Sequence, residues 1–172
     1  INACDSMGYT ALMRAAARGH SAVVKQLLAR PEINLNAHSN KGYTALICAA
    51  ARGHKETIEQ LLDHPKIDLN ARDAYGYTAL MRATANGAIP VVEQLLAHPK
   101  TNLNLRSYKG YTALICAATK GHEVIVEQLL THPEINLNAR DIYGYTALMH
   151  SIYNGQKSVV ELLLSHPKID VN

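Results

Sequence analysis

Phenylalanine and tryptophan are both absent from the 172 residues. Such rings are the usual bulk filler of a single large core. A chain that fills itself with Ala, Leu, Val and Ile instead suits thin layers of short helices lying close together. No run approaches about 18 consecutive apolar residues, so nothing is expected to span a membrane. The net charge is only +3, too small in itself to argue for nucleic acid. The cysteines, Cys4, Cys48 and Cys116, are odd in number and form no CxxC pair. That speaks against a disulfide framework and for a reducing compartment, hence an intracellular, cytoplasmic setting. The motifs G-x-G-x-x-G, G-x-x-x-x-G-K-[ST] and H-E-x-x-H are missing. So is a signal peptide: the opening Ile1-Asn2-Ala3-Cys4-Asp5 lacks Met and reads as a piece cut from something longer, or as an engineered chain. With 48 % hydrophobic and 18 % charged residues, the composition is that of a globular chain the size of one domain.

What is present is a repeat. Gly-Tyr-Thr-Ala-Leu begins at Gly8, Gly42, Gly76, Gly110 and Gly144, 34 residues apart each time. In register with it stand Leu27, Leu61, Leu95, Leu129 and Leu163, the prolines 31, 65, 99, 133 and 167, and a closing Asn36, Asn70, Asn104, Asn138 and Asn172. Such a period signals stacked supersecondary units. The units run roughly over 5–38, 39–72, 73–106, 107–140 and 141–172, with 1–4 as the tail of a preceding one, and together make a single domain over 1–172.

One unit translates into structure. Thr10 is a good N-cap, its hydroxyl able to satisfy a free backbone N–H of the next turn. Ala11 to Arg18 predict a short helix with Leu12, Ala15 and Ala16 on one face, closed at Gly19 in the left-handed conformation. Val23, Val24, Leu27 and Leu28 predict the apolar stripe of a second helix, stopped by Pro31. Ile33 and Leu35 then alternate with Glu32, Asn34 and Asn36 in an extended arm. Pro90 falls at a helix start, where its missing N–H costs nothing. Ala15-Ala16, Ala49-Ala50 and Ala117-Ala118 permit helices to approach to about 8–10 Å, so units are expected to stack into an elongated, slightly curved solenoid without a central pocket.

The run from Gly8-Tyr9-Thr10-Ala11-Leu12 through Ala15-Ala16 and Gly19-His20 to Val23-Val24 and Leu27-Leu28 resembles the ankyrin repeat, and the resemblance covers nearly the whole chain. It implies an all-α fold, an ankyrin-repeat solenoid of stacked helix–turn–helix units with projecting β-hairpin-like loops. Two departures stand out from that pattern of about 33 residues with T-P-L-H-x-A. Thr-Pro-Leu-His is here Thr-Ala-Leu-Met or Thr-Ala-Leu-Ile, which removes the usual Thr–His bond, and the period is one residue longer. The resemblance further implies protein recognition by loop tips and first helices lining a concave face. It also implies that His20, His54 and His122, after the inter-helix glycine, bond backbone carbonyls.

A longer period of 68 is also present. Cys48 and Cys116 both sit in Lys-Gly-Tyr-Thr-Ala-Leu-Ile-Cys-Ala-Ala, whereas the odd copies carry Arg14, Arg82 or His150 and open with Asp5, Asp73 or Asp141. Duplication of a two-repeat block accounts for this; complementary packing of a large Arg against a small Cys in the next repeat is the sharper alternative.

Nine histidines invite a metal reading. His64, His98, His132 and His166 lie one repeat apart, roughly 10 Å, whereas zinc needs its nitrogens at about 2.0–2.1 Å. They cannot share an ion, and no metal or other cofactor is expected. Cys48 and Cys116 are expected to lie about 20 Å apart, beyond the limit of about 7 Å between the Cα atoms of a disulfide, so both read as buried small side chains. A Cys–His nucleophile would lack an orienting carboxylate and an oxyanion turn, and no enzyme is expected.

Charge is polarised. Loop tips and first helices hold ten basic residues against Asp5, Asp73 and Asp141, a balance of +7; second helices and arms hold seven basic and eleven acidic, a balance of −4. All nine tyrosines fall on the positive side. Tyr9, Tyr43, Tyr77, Tyr111 and Tyr145 form a ladder that serves either loop-to-loop packing or contact. Tyr75, Tyr108 and Tyr143 sit at loop tips, and Tyr153 on the last first helix. Tyrosine and arginine are enriched at interface hot spots. The expected contact surface therefore comprises these nine tyrosines with Arg18, Lys41, Arg52, Lys109 and Lys120. It would hold a protein or peptide bearing an acidic segment. The alternatives are an engineered or consensus-like solenoid without a selected partner, and the targeting arm of a larger enzyme or effector. Terminal units need a polar outer face, and Val159, Val160, Leu163 and Leu164 supply none, so end-to-end self-association or fraying is also expected.

Overall fold

The computed structural model describes residues 1–171; Asn172, the last of the closing asparagines, lies outside the described residues. Among the described residues ten helices follow one another: α1 (Ala11–Ala17), α2 (Ser21–Leu28), α3 (Ala45–Ala50), α4 (Lys55–Leu62), α5 (Ala79–Ala85), α6 (Ile89–Ala97), α7 (Ala113–Lys120), α8 (Glu123–Leu130), α9 (Ala147–Tyr153) and α10 (Lys157–Ser165). Each odd helix packs on the even helix after it. Odd helices also stack on odd and even on even, giving two parallel layers. Among the described residues there is no strand, only an isolated antiparallel bridge between Cys4 and Thr10.

The odd helices start where the sequence places threonine. Thr10, Thr44, Thr78, Thr112 and Thr146 are extended, and each hydroxyl accepts the backbone N–H three residues on, at 3.2–3.3 Å. Gly19 takes the left-handed conformation at φ +67° and turns the chain into α2. Pro90 sits in the first turn of α6, where no intrahelical N–H is needed. The core runs the length of the stack. Leu61, Leu95, Leu129 and Leu163 are fully buried, as are the alanine pairs 49–50 and 117–118 that bring the odd helices close.

Two details differ from the sequence expectation. Of the stripe predicted for α2, only Val24 is buried; Leu27 and Leu28 are half-buried and Val23 is 45 % exposed. Positions equivalent to Val23 in later units, Thr57, Val91, Ile125 and Val159, are buried because a preceding unit covers them. The arm after α2 is a pair of turns, not an extended segment. Ile33 donates its N–H to the Arg30 carbonyl (3.1 Å), and Asn36 donates its own to the Asn34 side chain (3.2 Å). Leu35 is still buried and Ile33 half-buried, so the alternation survives in burial alone.

The closing asparagines clamp successive units. Asn36 donates through Nδ2 to the Lys66 carbonyl and accepts the Asp68 N–H; Asn70, Asn104 and Asn138 repeat both bonds one unit further on each time.

Candidate functional site

Each unit enters its odd helix through a tight loop. The residue opening that loop is Asp5, Ser39, Asp73, Ser107 or Asp141, and its side chain accepts the N–H of the ladder tyrosine four residues on, at 2.9–3.1 Å. Neighbouring tips are clipped together by backbone bonds. Asn40 donates to Met7, Ala74 to Lys41, Tyr108 to Tyr75 and Ile142 to Lys109, at 2.9–3.1 Å. A side chain on a tip therefore stands on a braced platform.

The tyrosines divide by burial. Tyr9, Tyr43, Tyr77 and Tyr111 are half-buried against the core, with Tyr9 and Tyr43 stacked at 6.4 Å. Burial raises the phenol pKa of Tyr43, Tyr77 and Tyr111. Tyr75, Tyr108, Tyr143 and Tyr153 are 57–80 % exposed, and Tyr145, at the end of the ladder, is 42 % exposed. Arg18, Lys41, Arg52, Lys109 and Lys120 are all exposed, and none has a side-chain hydrogen bond or ion-pair partner among the described residues. Met7, Tyr9, Lys41, Tyr43, Arg52 and Arg82 border an open groove of about 470 Å³ on this face, with Cys48 at its base.

Sequence reasoning missed a paired series of two Asp–Arg ion pairs and one Asp–His hydrogen bond. Arg14 donates through Nε to Asp5 Oδ2 at 2.9 Å, Arg82 to Asp73 Oδ2 at 2.7 Å, and His150 Nε2 lies 2.9 Å from Asp141 Oδ2. The guanidiniums also lie over the ladder, Arg14 4.2 Å from the Tyr9 ring centre and Arg82 4.5 Å from that of Tyr77. The signal was available: Asp and Arg or His appear together in alternate repeats, nine residues apart. In the other repeats Ser39 and Ser107 keep only the bond to the tyrosine N–H, and Cys48 and Cys116 replace the arginine. Arg82 does border a groove with Cys48, but its hydrogen bonds are within its own repeat.

Burial sets the remaining chemistry. Cys48 and Cys116 are buried free thiols, pushed up to about 11 and about 12 by desolvation, while Cys4 is exposed. For Asp141, burial alone would raise the pKa; bonds from His150 and from the N–H groups of Tyr145 and Tyr143 outweigh it and hold the carboxyl below its ordinary value. His54 and His122 reach back one unit, with Nε2 3.2 Å from the Ala17 carbonyl and 3.4 Å from that of Ala85. The equivalent His20 makes no such bond among the described residues and is exposed. His64, His98 and His166 accept through Nδ1 the N–H of Lys66, Lys100 and Lys168, and His132 Nδ1 lies 3.9 Å from Glu134. Among the described residues no helix is long and apolar enough to cross a membrane.

Paired helices in two layers, with braced loops and an open side-chain face, define a helical-repeat binding scaffold. A family model for ankyrin repeats (3 copies) matches residues 12–107 and again residues 90–172, and the chain belongs to the ankyrin-repeat family. No curated protein matches it. Ankyrin repeats generally mediate protein–protein interactions, and proteins built from them are typically non-enzymatic scaffolds.

Proposed function

We propose that the chain holds a partner protein or peptide by an acidic segment laid along the loop-tip and odd-helix face. The supporting observation is electrostatic. The cations Arg18, Lys41, Arg52, Lys109 and Lys120 point into solvent without partners, whereas Asp73 and Asp141, two of the face's three acids, have side chains 0 % and 1 % exposed and already bonded. The field leaving the face is therefore positive. Such a field steers an acidic partner and speeds its association, while contacts to the exposed tip tyrosines slow its release.

Binding kinetics of glutamate-rich and lysine-rich peptides on the immobilised chain test this. The acidic peptide is expected to bind, with an association rate that falls as salt rises. Replacing Arg52, Lys109 and Lys120 together by Glu should mainly slow association, by about tenfold or more. Replacing Tyr75, Tyr108 and Tyr143 by Ala should mainly speed release. Replacing Glu59, Glu93 and Glu127 on the even helices by Lys should change little. Equal binding of both peptides, or loss only in the even-helix variant, would refute the assignment.

End-to-end association between copies is a second mode, supported by the outer face of α9. Ile152 is 59 % exposed, whereas its equivalents Ala16, Ala50, Thr84 and Ala118 are fully buried beneath the next unit. Leu164 on α10 is 50 % exposed in the same unit, and Val23 is 45 % exposed in the first unit. Sedimentation velocity should show concentration-dependent association that Ile152→Glu with Leu164→Lys removes. A strict monomer at millimolar concentration would exclude this mode.

A further inference from the structure

The loop-tip face carries a second pocket of different character, about 330 Å³, between α7 and α9. Its walls are Tyr111, Tyr143, Tyr145 and Tyr153, and its charged or titratable floor is Asp141 with His150. The same surroundings occur 68 residues earlier, and there a guanidinium of the chain itself lies among the rings, on the wall of the larger groove. Tyr43, Tyr75 and Tyr77 surround the guanidinium of Arg82, with ring centres 5.7, 5.8 and 4.5 Å from its Cζ, and Asp73 beneath neutralises it. Between the two sites all three of these tyrosines and the aspartate are retained. Arg82 becomes His150, Ala85 becomes Tyr153 and Ala51 becomes Thr119.

The first two of these exchanges change what the pocket can hold. His150 is shorter than arginine. It satisfies Asp141 at 2.9 Å and lies 5.4 and 5.5 Å from the Tyr111 and Tyr145 rings, but makes no ring contact with Tyr143 or Tyr153. Among the described residues every cation lying over a ring belongs to Tyr9, Tyr43, Tyr75 or Tyr77, none to these four. Tyr153, 80 % exposed, adds a fourth ring at the mouth. Aromatic faces attract cations through the ring quadrupole, and guanidinium stacks on them as well.

We infer that this pocket receives an arginine side chain of the bound partner, which supplies in trans the guanidinium that Arg82 supplies in cis two repeats earlier. The site does not depend on the acidic-segment reading, because none of the five unpartnered cations lines it. The two together describe a partner whose acidic stretch lies over the earlier repeats and whose arginine is anchored at the last.

The test uses the whole chain with ¹³C-labelled tyrosine and a capped Gly-Arg-Gly peptide, with its citrulline analogue as the neutral isostere. The arginine peptide should shift the ring signals of Tyr111, Tyr143, Tyr145 and Tyr153 and bind about tenfold more tightly than the citrulline peptide. His150→Arg, which restores the internal cation, should abolish that binding. Tyr153→Ala, a change at an exposed position, should weaken it severalfold while the amide spectrum stays native. The Arg52, Lys109 and Lys120 to Glu variant should bind the arginine peptide at least as tightly while losing the acidic one, which separates failure here from failure of the acidic-segment reading. Equal affinity for the two peptides, shifts confined to other tyrosines, or full binding by a folded His150→Arg variant would overturn the inference.

Discussion

Gly110→Ala is expected to destabilise the fold by about 2–5 kcal/mol, and Gly144→Ala by only about 1–2 kcal/mol. Both glycines sit at loop tips with nearly the same left-handed backbone, φ +79° and +84°. An alanine at either pays the left-handed strain, about 1–2 kcal/mol. At Gly144 a Cβ meets nothing within 4 Å, so the strain is the whole cost. At Gly110 it would stand 2.7 Å from the Asp141 Cα and 3.0 Å from its carbonyl carbon. Those are backbone atoms, held in place by the Ile142 N–H bond to the Lys109 carbonyl. The overlap can be relieved only by parting two tips, an overpacking cost of about 1–3 kcal/mol on top of the strain. Stability in a stacked array is a sum of unit and neighbour terms, so the damage should concentrate at the junction before α9. Urea denaturation of both variants, with hydrogen exchange to locate the loss, checks this. Equal losses would mean that the tip glycines serve backbone conformation alone.

That pair also shows why some of the molecule was legible in the sequence and some was not. The helices, their threonine caps and the buried leucines each follow from residue type at a 34-residue spacing, because local geometry and a repeated core fully determine them. Gly110 and Gly144 read identically, yet what each touches depends on whether another tip lies over it. The exposure of Val23 has the same origin: a helical stripe reports which side of a helix is apolar, not whether a neighbouring unit covers it. The closing asparagines were visible as markers, but their role spans about 30 residues of chain and two units. At the candidate site, composition was enough to find the tyrosines and the excess positive charge. It could not show that two of the face's acids are buried, nor which rings already have a cation over them. Period-68 alternation held that information, but the partners of Arg82 are nine residues away in one direction and a whole repeat away in another. Only folding reveals that the tyrosine ladder runs between them.

Asp73→Ala should cost about 3 kcal/mol, Asp73→Asn less, and Asp5→Ala little. All three touch equivalent positions, so the ranking isolates burial. Asp73 has a side chain with no exposed surface, and one oxygen accepts the N–H groups of Tyr75 (2.8 Å) and Tyr77 (3.0 Å). Its other oxygen takes the Arg82 guanidinium. Alanine there leaves two backbone donors short of an acceptor and the Arg82 charge uncompensated. Breaking a buried pair costs about 3–5 kcal/mol, and the lower end applies because Arg82 is 23 % exposed and water can partly solvate it. Asparagine keeps an acceptor for the two N–H groups and loses only the charge, so its cost should be intermediate. Asp5 makes the same bonds to Met7, Tyr9 and Arg14. However, it and Arg14 are 38 % and 50 % exposed, and water replaces most of what its removal takes away. A double-mutant cycle adding Arg82→Met to Asp73→Ala should recover part of the loss, because the orphaned charge is then gone. Thermal and urea midpoints of the four single changes and the double measure all of this. An Asp5→Ala variant as unstable as Asp73→Ala would show that the loop bonds, and not the buried charge pair, carry the stability of the tips.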